Sequence, residues 1–479
     1  MRKLLLALLV VAFMALPAAA SVQNIKISGD IESTWLIRHQ FDLGENTAAS
    51  EFEQSIFFTQ TRLRVDADLT DNVSATVALL NERVWDDSDD AYDEIDIDLA
   101  YVTLREMLYS PLTVVIGRQA FAFGNSFIMD SAGDRNLTNT QLGEATDLSK
   151  EQGLDAVRLT LDYNPLTVDV IYAKIDGQTT TGRMPQDDDV DLYGMNANYQ
   201  LGDDMNTIIE AYFWAKLDQS TKTSATGTTA DPTSGFKADT IYLPGVRASA
   251  NILDGLNLQG ELAFQTGTKV VAVGESTTPT IHNIMKRRAW ATQVLSTYSL
   301  PFDKTAEYKP VLHGSYSYYS GDINPTETDT AGGKERYYTA WDQFFNDQGD
   351  GTIGNSLLAK SNLQVGNLGL TVVPMEDVTV SLDWYGYWLA SNEYADDEAS
   401  PDDGADQISI TPPDGGGAIA LEIDGDRGLA TELGLGVLYD YTEDVQFGAS
   451  YNYLWCGSAL TEENNKPASQ FMVSSKVTF

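Results

Sequence analysis

From Ile25 onward the chain alternates. In 24–38, Ile25, Ile27, Ile31, Trp35 and Ile37 share one face, and Lys26, Ser28, Asp30, Glu32, Thr34 and Arg38 share the other. In 55–69, Phe57, Leu63, Val65, Ala67 and Leu69 oppose Gln60, Arg62, Arg64, Asp66 and Asp68. In 444–456, Val445, Phe447, Ala449, Tyr451 and Tyr453 oppose Gln446, Ser450 and Asn452. A side-chain period of two belongs to a β-strand with unlike faces. The pattern predicts about 18 strands, from 24–38 through 55–69, 72–85, 94–105, 111–120, 153–163, 166–176, 189–201, 205–217, 238–252, 255–267, 286–300, 309–320, 360–373, 377–391, 428–442 and 444–456 to 469–479.

The connections alternate in length. Thr70-Asp71, Asn164-Pro165, Gly202-Asp203, Asp254 and Glu443 mark short turns, whereas 39–54, 86–93, 121–152, 177–188, 218–237, 268–285, 321–359, 392–427 and 457–468 are long. Short turns at one end and long loops at the other are the habit of an outer-membrane barrel, whose apolar face meets lipid and whose polar face meets a wet lumen. Arg62, Arg64, Asp66 and Asp68 on a lipid face would together cost several kcal/mol, so they are expected to point inward. The closing strand carries Phe471, Val473, Val477 and Phe479 on its apolar row and ends in the aromatic, the expected assembly signal.

The other end reads as a secretory signal over residues 1–20. Arg2 and Lys3 precede an apolar run, Leu4 to Leu16, and Ala18-Ala19-Ala20 offers a cleavage site before Ser21. No later stretch holds the roughly 18 apolar residues of a spanning helix. A membrane-embedded mature chain must then be a closed barrel, which alone satisfies every backbone group in lipid. The expected architecture is all-β, one antiparallel transmembrane barrel over residues 21–479, with both termini in the periplasm of a Gram-negative cell.

Charge narrows the partners. The chain has 30 Lys and Arg against 70 Asp and Glu. The predicted leader holds two of the cations and no acid, leaving 28 against 70, a net of −42. Such a balance excludes a nucleic-acid partner. With 43% hydrophobic residues and 23 tyrosines, acidity does not mean disorder. The lone Cys456 forbids an internal disulfide, and three scattered histidines (His39, His282, His313) give neither a metal site nor a catalytic triad. No catalytic constellation stands out and no cofactor is expected. Trp384 and Trp388 share the outward row with Val380 and Leu382, as membrane-girdle residues do.

Several local patterns together resemble the alginate export porins of Gram-negative outer membranes. Gly117-Arg118-Gln119 with Phe121 and Gly124 is similar to the family's Gly-Arg-Gln strand end, and Asp98-Leu99-Ala100-Tyr101-Val102 to the strand before it. Ala289-Trp290-Ala291, Pro310, Tyr318-Tyr319-Ser320-Gly321-Asp322 and Trp341-Asp342-Gln343-Phe344-Phe345 follow the family's order, and Gly428 to Tyr441 with Gly457-Ser458-Ala459 resemble its closing strands. The resemblance covers most of the mature chain and implies a channel with an Arg-lined pore. Arg62, Arg64, Arg118 and Arg158 sit in matching strand contexts.

The alternation itself offers Arg62, Arg64, Arg83, Arg118, Arg158 and Arg247 as inward cations for anion selectivity, with Arg288 a further candidate. A ring of cations sets anion preference, and Arg suits carboxylate through its planar fork. Asp66, Asp68, Glu82, Asp96, Asp98 and Asp162 are expected on the same inner wall. If they pair with the arginines, the two sets form bracing ladders around a near-neutral lumen. Acid runs fill the loops at 86–94 and 391–427, and Asp347, Asp350, Asp424 and Asp426 are candidate Ca²⁺ ligands. Loop 121–152, with Phe121, Phe123, Phe127, Ile128, Met129 and Arg135, either constricts the mouth or packs over the rim.

Three functions fit. One is passive export of a polysaccharide or other anionic solute, with periplasmic export partners and the inward arginines as selectivity element. The second is a general porin for small solutes or ions. The third is a structural anchor presenting acidic loops to partner proteins. In each the chain would meet outer-membrane lipid and, through its last strand, the barrel-assembly machinery.

Overall fold

The computed structural model describes residues 24–44, 52–85, 95–108, 111–132, 142, 145–176, 189–219, 238–273, 281–300, 308–322, 337–391, 407–413, 418–423, 426–461 and 465–479. The predicted signal at 1–20 and the acidic runs at 86–94 and 392–406 lie outside the described residues.

Eighteen strands close into one antiparallel barrel. In chain order they are β1 (Asn24–His39), β2 (Glu53–Thr70), β3 (Val73–Val84), β4 (Asp96–Met107), β5 (Leu112–Gln119), β6 (Leu154–Asp162), β7 (Leu166–Asp176), β8 (Val190–Gln200), β9 (Ile208–Asp218), β10 (Asp239–Leu253), β11 (Leu256–Val273), β12 (Ile281–Ser299), β13 (Val311–Tyr319), β15 (Leu363–Met375), β16 (Val378–Leu389), β19 (Gly428–Asp440), β20 (Val445–Cys456) and β21 (Ala468–Thr478). Three short strands stand outside the ring. β14 (Tyr337–Tyr338) runs parallel to β12, and β17 (Gln407–Ile410) pairs with β18 (Ile419–Glu422) within a long loop. Each barrel strand pairs with its sequence neighbours. The first and last close the ring from Asp30↔Thr478 to His39↔Ser469, which leaves no open edge.

The predicted faces hold. Ile25, Ile27, Ile31, Phe57 and Leu63 are exposed on the outside, while Thr34, Arg38, Gln60 and Glu82 are buried inside. Phe471, Val473 and Val477 lie on the outward row of β21, and Phe479 follows its last residue. The main chain of Phe479 exchanges two hydrogen bonds with Gly29, at 2.8 and 2.9 Å. Outward aromatics mark the wall at two levels: Tyr193, Phe213, Tyr242 and Trp290 toward the long loops, and Tyr163, Tyr199, Tyr441 and Phe447 toward the short turns.

Candidate functional site: the lumen

Two long connections fold into the barrel rather than over its rim. Loop 121–152 enters after β5. Its first part, Phe121–Ala132, buries Phe121, Phe127, Ile128 and Met129 against Trp214, Tyr319, Phe344 and Phe345. Its last part runs along the inner wall of β1 to β4. Gln60 donates to the Leu148 carbonyl at 2.8 Å, and Glu82 accepts from the Lys150 amide at 2.7 Å and from Ser149 Oγ. Asp98 accepts from the Gln152 amide at 2.8 Å. The second intruder is the connection between β13 and β15. Its residues 341–360 carry Trp341, Phe344, Phe345 and the short helix α1 (Ile353–Leu357) into the same core. The intruders meet through Asp130 N–H to the Phe345 carbonyl and Asn346 to the Phe127 carbonyl. Glu432 of β19 is fully buried. It accepts from the amides of Thr352, Ile353 and Gly354 and from Tyr387 Oη, which ties α1 to the wall.

Of the predicted inward arginines, five reach the interior and each meets a carboxylate. Arg62 lies 3.1 Å from Asp98 and also donates to the Lys150 carbonyl. Arg64 holds Asp66 through two hydrogen bonds, at 2.7 and 2.9 Å. Arg118 pairs with Glu151 and stands 4.0 Å from Asp155. Arg158 bonds Asp169 at 2.8 Å and covers the Phe123 ring. Arg247 bonds Glu210 at 2.7 Å. Gly117, with φ near 122°, sits just before Arg118 where a Cβ would strike the Ala100 carbonyl.

Arg83 and Arg288 are the corrections. Glu82 and Arg83 are adjacent on a regular strand, so they cannot share a face. Glu82 is buried inside and Arg83 is exposed outside. On β12 the inward residue is Arg287, paired with Asp239 and Asp342, whereas Arg288 faces outward over Tyr337. Among the acids, Asp96 and Asp98 line the wall, and Asp68 and Asp162 lie at the exposed short-turn end. There Asp162 caps the turn by accepting from the Asn164 amide at 3.1 Å. The Ca²⁺ reading of Asp350 fails on burial and pairing. This carboxylate is buried, bonds Lys360 at 2.6 Å and accepts from Tyr319. Asp347 lies inside the barrel beside it, Asp426 is exposed, and Asp424 lies outside the described residues.

Other paired groups were not among the predicted site residues: Arg38 already lay on the polar row of β1, whereas the loop residues Asp147, Lys150 and Asp342 are brought inside only by the tertiary fold. Lys150 bonds Asp30 at 2.9 Å and Glu32 at 2.8 Å. Arg38, fully buried, bonds Asp147 at 2.6 Å. Lys269 joins Arg287 on Asp342. Burial drives the Asp342 carboxyl upward, but Arg287 and Lys269 outweigh it and hold its pKa below the ordinary value. Glu151 goes the other way. Burial raises its pKa, the carboxylates of Asp96, Asp98 and Glu82 add to the effect, and Arg118 only partly opposes it. Near this wall, among the described residues, nine acids (Asp30, Glu32, Asp66, Glu82, Asp96, Asp98, Asp147, Glu151, Asp347) face seven cations (Lys26, Arg38, Arg62, Arg64, Arg118, Lys150, Lys476).

Beside the intruders lie a cavity of about 220 Å³ among Lys216, Asp239, Lys269, Arg287 and Asp342, and two others that share one carboxylate. One, of about 270 Å³, lies among Asp30, Arg62, Lys150, Glu151, Asp347 and Lys476. The other, of about 370 Å³, lies among Lys216, Gln343, Asn346, Asp347, Asn355 and Lys360. Asp347 lines both. Lys216 rests over the Phe345 ring at 5.4 Å. Among the described residues, neither Lys216 nor Lys476 has an ion-pair partner. The interior is a constricted passage bounded by charged rows, with no triad or metal cluster among the described residues.

Comparison with known proteins agrees with this geometry. The family model described as alginate export matches residues 27–398. No curated protein matches the sequence. Among solved structures, Acinetobacter baumannii OccAB1 is similar over 97% of this chain and 98% of its own, with 10% identity and a TM-score of 0.55. Pseudomonas aeruginosa OpdK, crystallised with vanillate, is similar over 96% and 100%, with 8% identity and a TM-score of 0.52. Pseudomonas aeruginosa OpdO covers 96% and 98%, with 10% identity and a TM-score of 0.51. At these identities the likeness is one of fold.

Proposed function

Because the chain belongs to the alginate export family and is a non-enzymatic outer-membrane channel, we propose that its cargo is a small hydrophilic solute or ion that diffuses past the two inserted loops. The observation that carries this reading is the pairing of the arginines. Arg62, Arg64, Arg118, Arg158 and Arg247 each meet a carboxylate, so they brace the wall instead of presenting a free cationic ring. On the β1–β4 wall the acids outnumber the cations, which favours a cation-preferring field. Among the described residues lining the two cavities that share Asp347, Lys216 and Lys476 supply positive charge not taken by an ion pair. They stand in different cavities, where a solute passing Asp347 meets them in turn.

Family membership favours a second reading, passive export of an anionic polysaccharide. A shared barrel does not fix cargo. A polyuronate in this passage would have to displace Asp98, Asp169 or Glu210 from their arginines, and splitting such a pair leaves a partly buried charge exposed to a low-dielectric wall. Export partners in the periplasm belong to this second reading alone.

The test is the reversal potential of the purified protein in a planar bilayer under a KCl gradient, with Arg62→Ala and Arg64→Ala beside the wild type. Small-solute diffusion predicts cation preference that grows in both variants, since each leaves a carboxylate unpaired. Chloride preference that falls in the variants would overturn it in favour of an arginine filter.

A further inference from the structure

On the inner wall of β8 to β11 the strand register brings two glutamates together. Glu210 pairs with Arg247 across β9 and β10, Arg247 with Glu261 across β10 and β11, and Asn196 with Tyr212 across β8 and β9. Tyr212 crosses β10 at Gly245, where a Cβ would lie 2.4 Å from its Oη. It thereby reaches Glu261 and donates to Oε1 at 2.7 Å. Glu210 is satisfied on both oxygens, by Asn198 at 2.7 Å and by Arg247 at 2.7 Å. Arg247 gives its other terminal nitrogen to Gln259 at 2.6 Å.

Two acceptors beside this row lack a protein donor. Glu261 Oε2 and Asn196 Oδ1 are buried without a hydrogen-bond partner, and their residues are only 7% and 2% exposed. Both residues line one cavity of about 10 Å³, together with Glu210 and Tyr212. That is the space of about one water-sized sphere. The other side chains around it, Phe123, Ile128, Met129 and Trp214, are apolar, and the Phe123 and Trp214 rings stand 5.3 Å apart. Arg158, over the far side of Phe123, is committed to Asp169. Two carboxylates thus share one guanidinium, which leaves one negative charge against apolar walls.

A carboxylate oxygen left unpaired in such a place is costly. A water would donate to both acceptors, and turning the Asn196 amide would offer one donor, but neither brings charge. A cation meets both needs. Calcium takes about six to eight oxygens, more than Glu261, Asn196 and Tyr212 supply, and the charge to be balanced is a single one. We propose that this cavity binds one dehydrated alkali cation, sodium or potassium, between Glu261 Oε2 and Asn196 Oδ1. The ion is resident rather than cargo, and it fastens the Phe123–Met129 part of the first inserted loop to the wall. The cavity shares no lining residue with the three described above, so the site does not rest on the reading of the passage.

The full-length protein in detergent is heated in NaCl, KCl or choline chloride at equal ionic strength and pH, and loss of the folded, heat-modifiable band on gels is followed in time. Choline is too large for the cavity. An ion that must leave before the barrel opens slows unfolding by one plus its concentration over its dissociation constant, about 10-fold at ten times that constant. The wild type should therefore unfold about 10-fold more slowly in NaCl or KCl than in choline chloride. Glu261→Gln keeps the shape and removes the charge, and should unfold at one rate in all three salts. Asn196→Leu removes the amide acceptor and should lose the difference as well, which keeps the test decisive if Glu261→Gln does not fold. Asp383→Asn, which removes an inward carboxylate paired with His313 elsewhere on the wall, should retain it. Equal wild-type rates in the three salts, as a bound water or a protonated Glu261 would give, would overturn the proposal. So would a salt difference that survives in Glu261→Gln or Asn196→Leu.

Discussion

Glu432 is the group on which the second inserted loop depends. Its carboxylate is fully buried and takes three amide hydrogen bonds from Thr352, Ile353 and Gly354, at 2.9, 3.1 and 2.9 Å. Tyr387 adds a fourth at 2.9 Å. Hydrogen bonds to a charged group contribute about 1.5–3 kcal/mol each, and donors left unmet cost about 1–3 kcal/mol each. Water entering the wet lumen would recover part of the loss. Glu432→Ala should therefore weaken docking of residues 341–360 by about 3–5 kcal/mol. That is roughly two to three and a half decades in the docking equilibrium. The assay is single-channel conductance in a planar bilayer. The variant should show a larger mean conductance and more flicker, because the segment that narrows the lumen leaves the wall part of the time. Glu432→Gln keeps one acceptor and should fall between the two. If the folded Ala variant conducts as quietly and as weakly as the wild type, then Glu432 does not hold the constriction and the argument fails.

Glu151 predicts a pH response. Its folded pKa lies above the ordinary glutamate value, so its ionised form opposes docking of the 145–153 segment. Docking is therefore most favourable below the ordinary glutamate pKa and loses that contribution as pH climbs from there through the raised one. Cation preference should rise over the same window, and in Glu151→Gln this step should vanish from the reversal-potential curve. At the barrel seam, Gly29 lies against the Phe479 ring, and a Cβ there would come within 2.4 Å of the Arg62 carbonyl. Gly29→Val and deletion of Phe479 should each lower the fraction of heat-modifiable barrel. An unchanged fraction would show that the seam closes without this contact.

How far the sequence could be read depended on whether one strand or several decided a residue's place. On β1 and β2 the alternation alone identified the outward Ile25, Ile27, Phe57 and Leu63 and the inward Arg62, Arg64 and Asp66, because lipid and water leave no third environment. The closing row of β21 was legible for the same reason. Placement failed where the period was hard to anchor. β12 begins at Ile281, several residues before the predicted start, and in the run Lys286-Arg287-Arg288 a one-residue error exchanges inside for outside. Glu82 and Arg83 were assigned to one face only because both are polar. Polarity alone does not tell a lumen from a headgroup layer, since water and phosphate welcome the same side chains. The constriction was harder still. Lys150, Glu151, Asp342 and Asp350 lie in loops with no period, and their partners Asp30, Arg118, Arg287 and Lys360 are set by how the loops fold inward. The apolar residues Phe121, Phe127, Ile128 and Met129 were the available sign that loop 121–152 needed a place to bury itself. Packing over the rim would have met that need equally. What decides for the interior is the wall itself: Gln60, Glu82 and Asp98 turn acceptors and donors inward at the height where the loop's own amides pass. A polar row left unpaired inside a barrel is thus evidence about the loop that covers it. On that reasoning, the paired arginines belong first to the architecture of the constriction, and whatever selectivity the channel has arises from the charges left over.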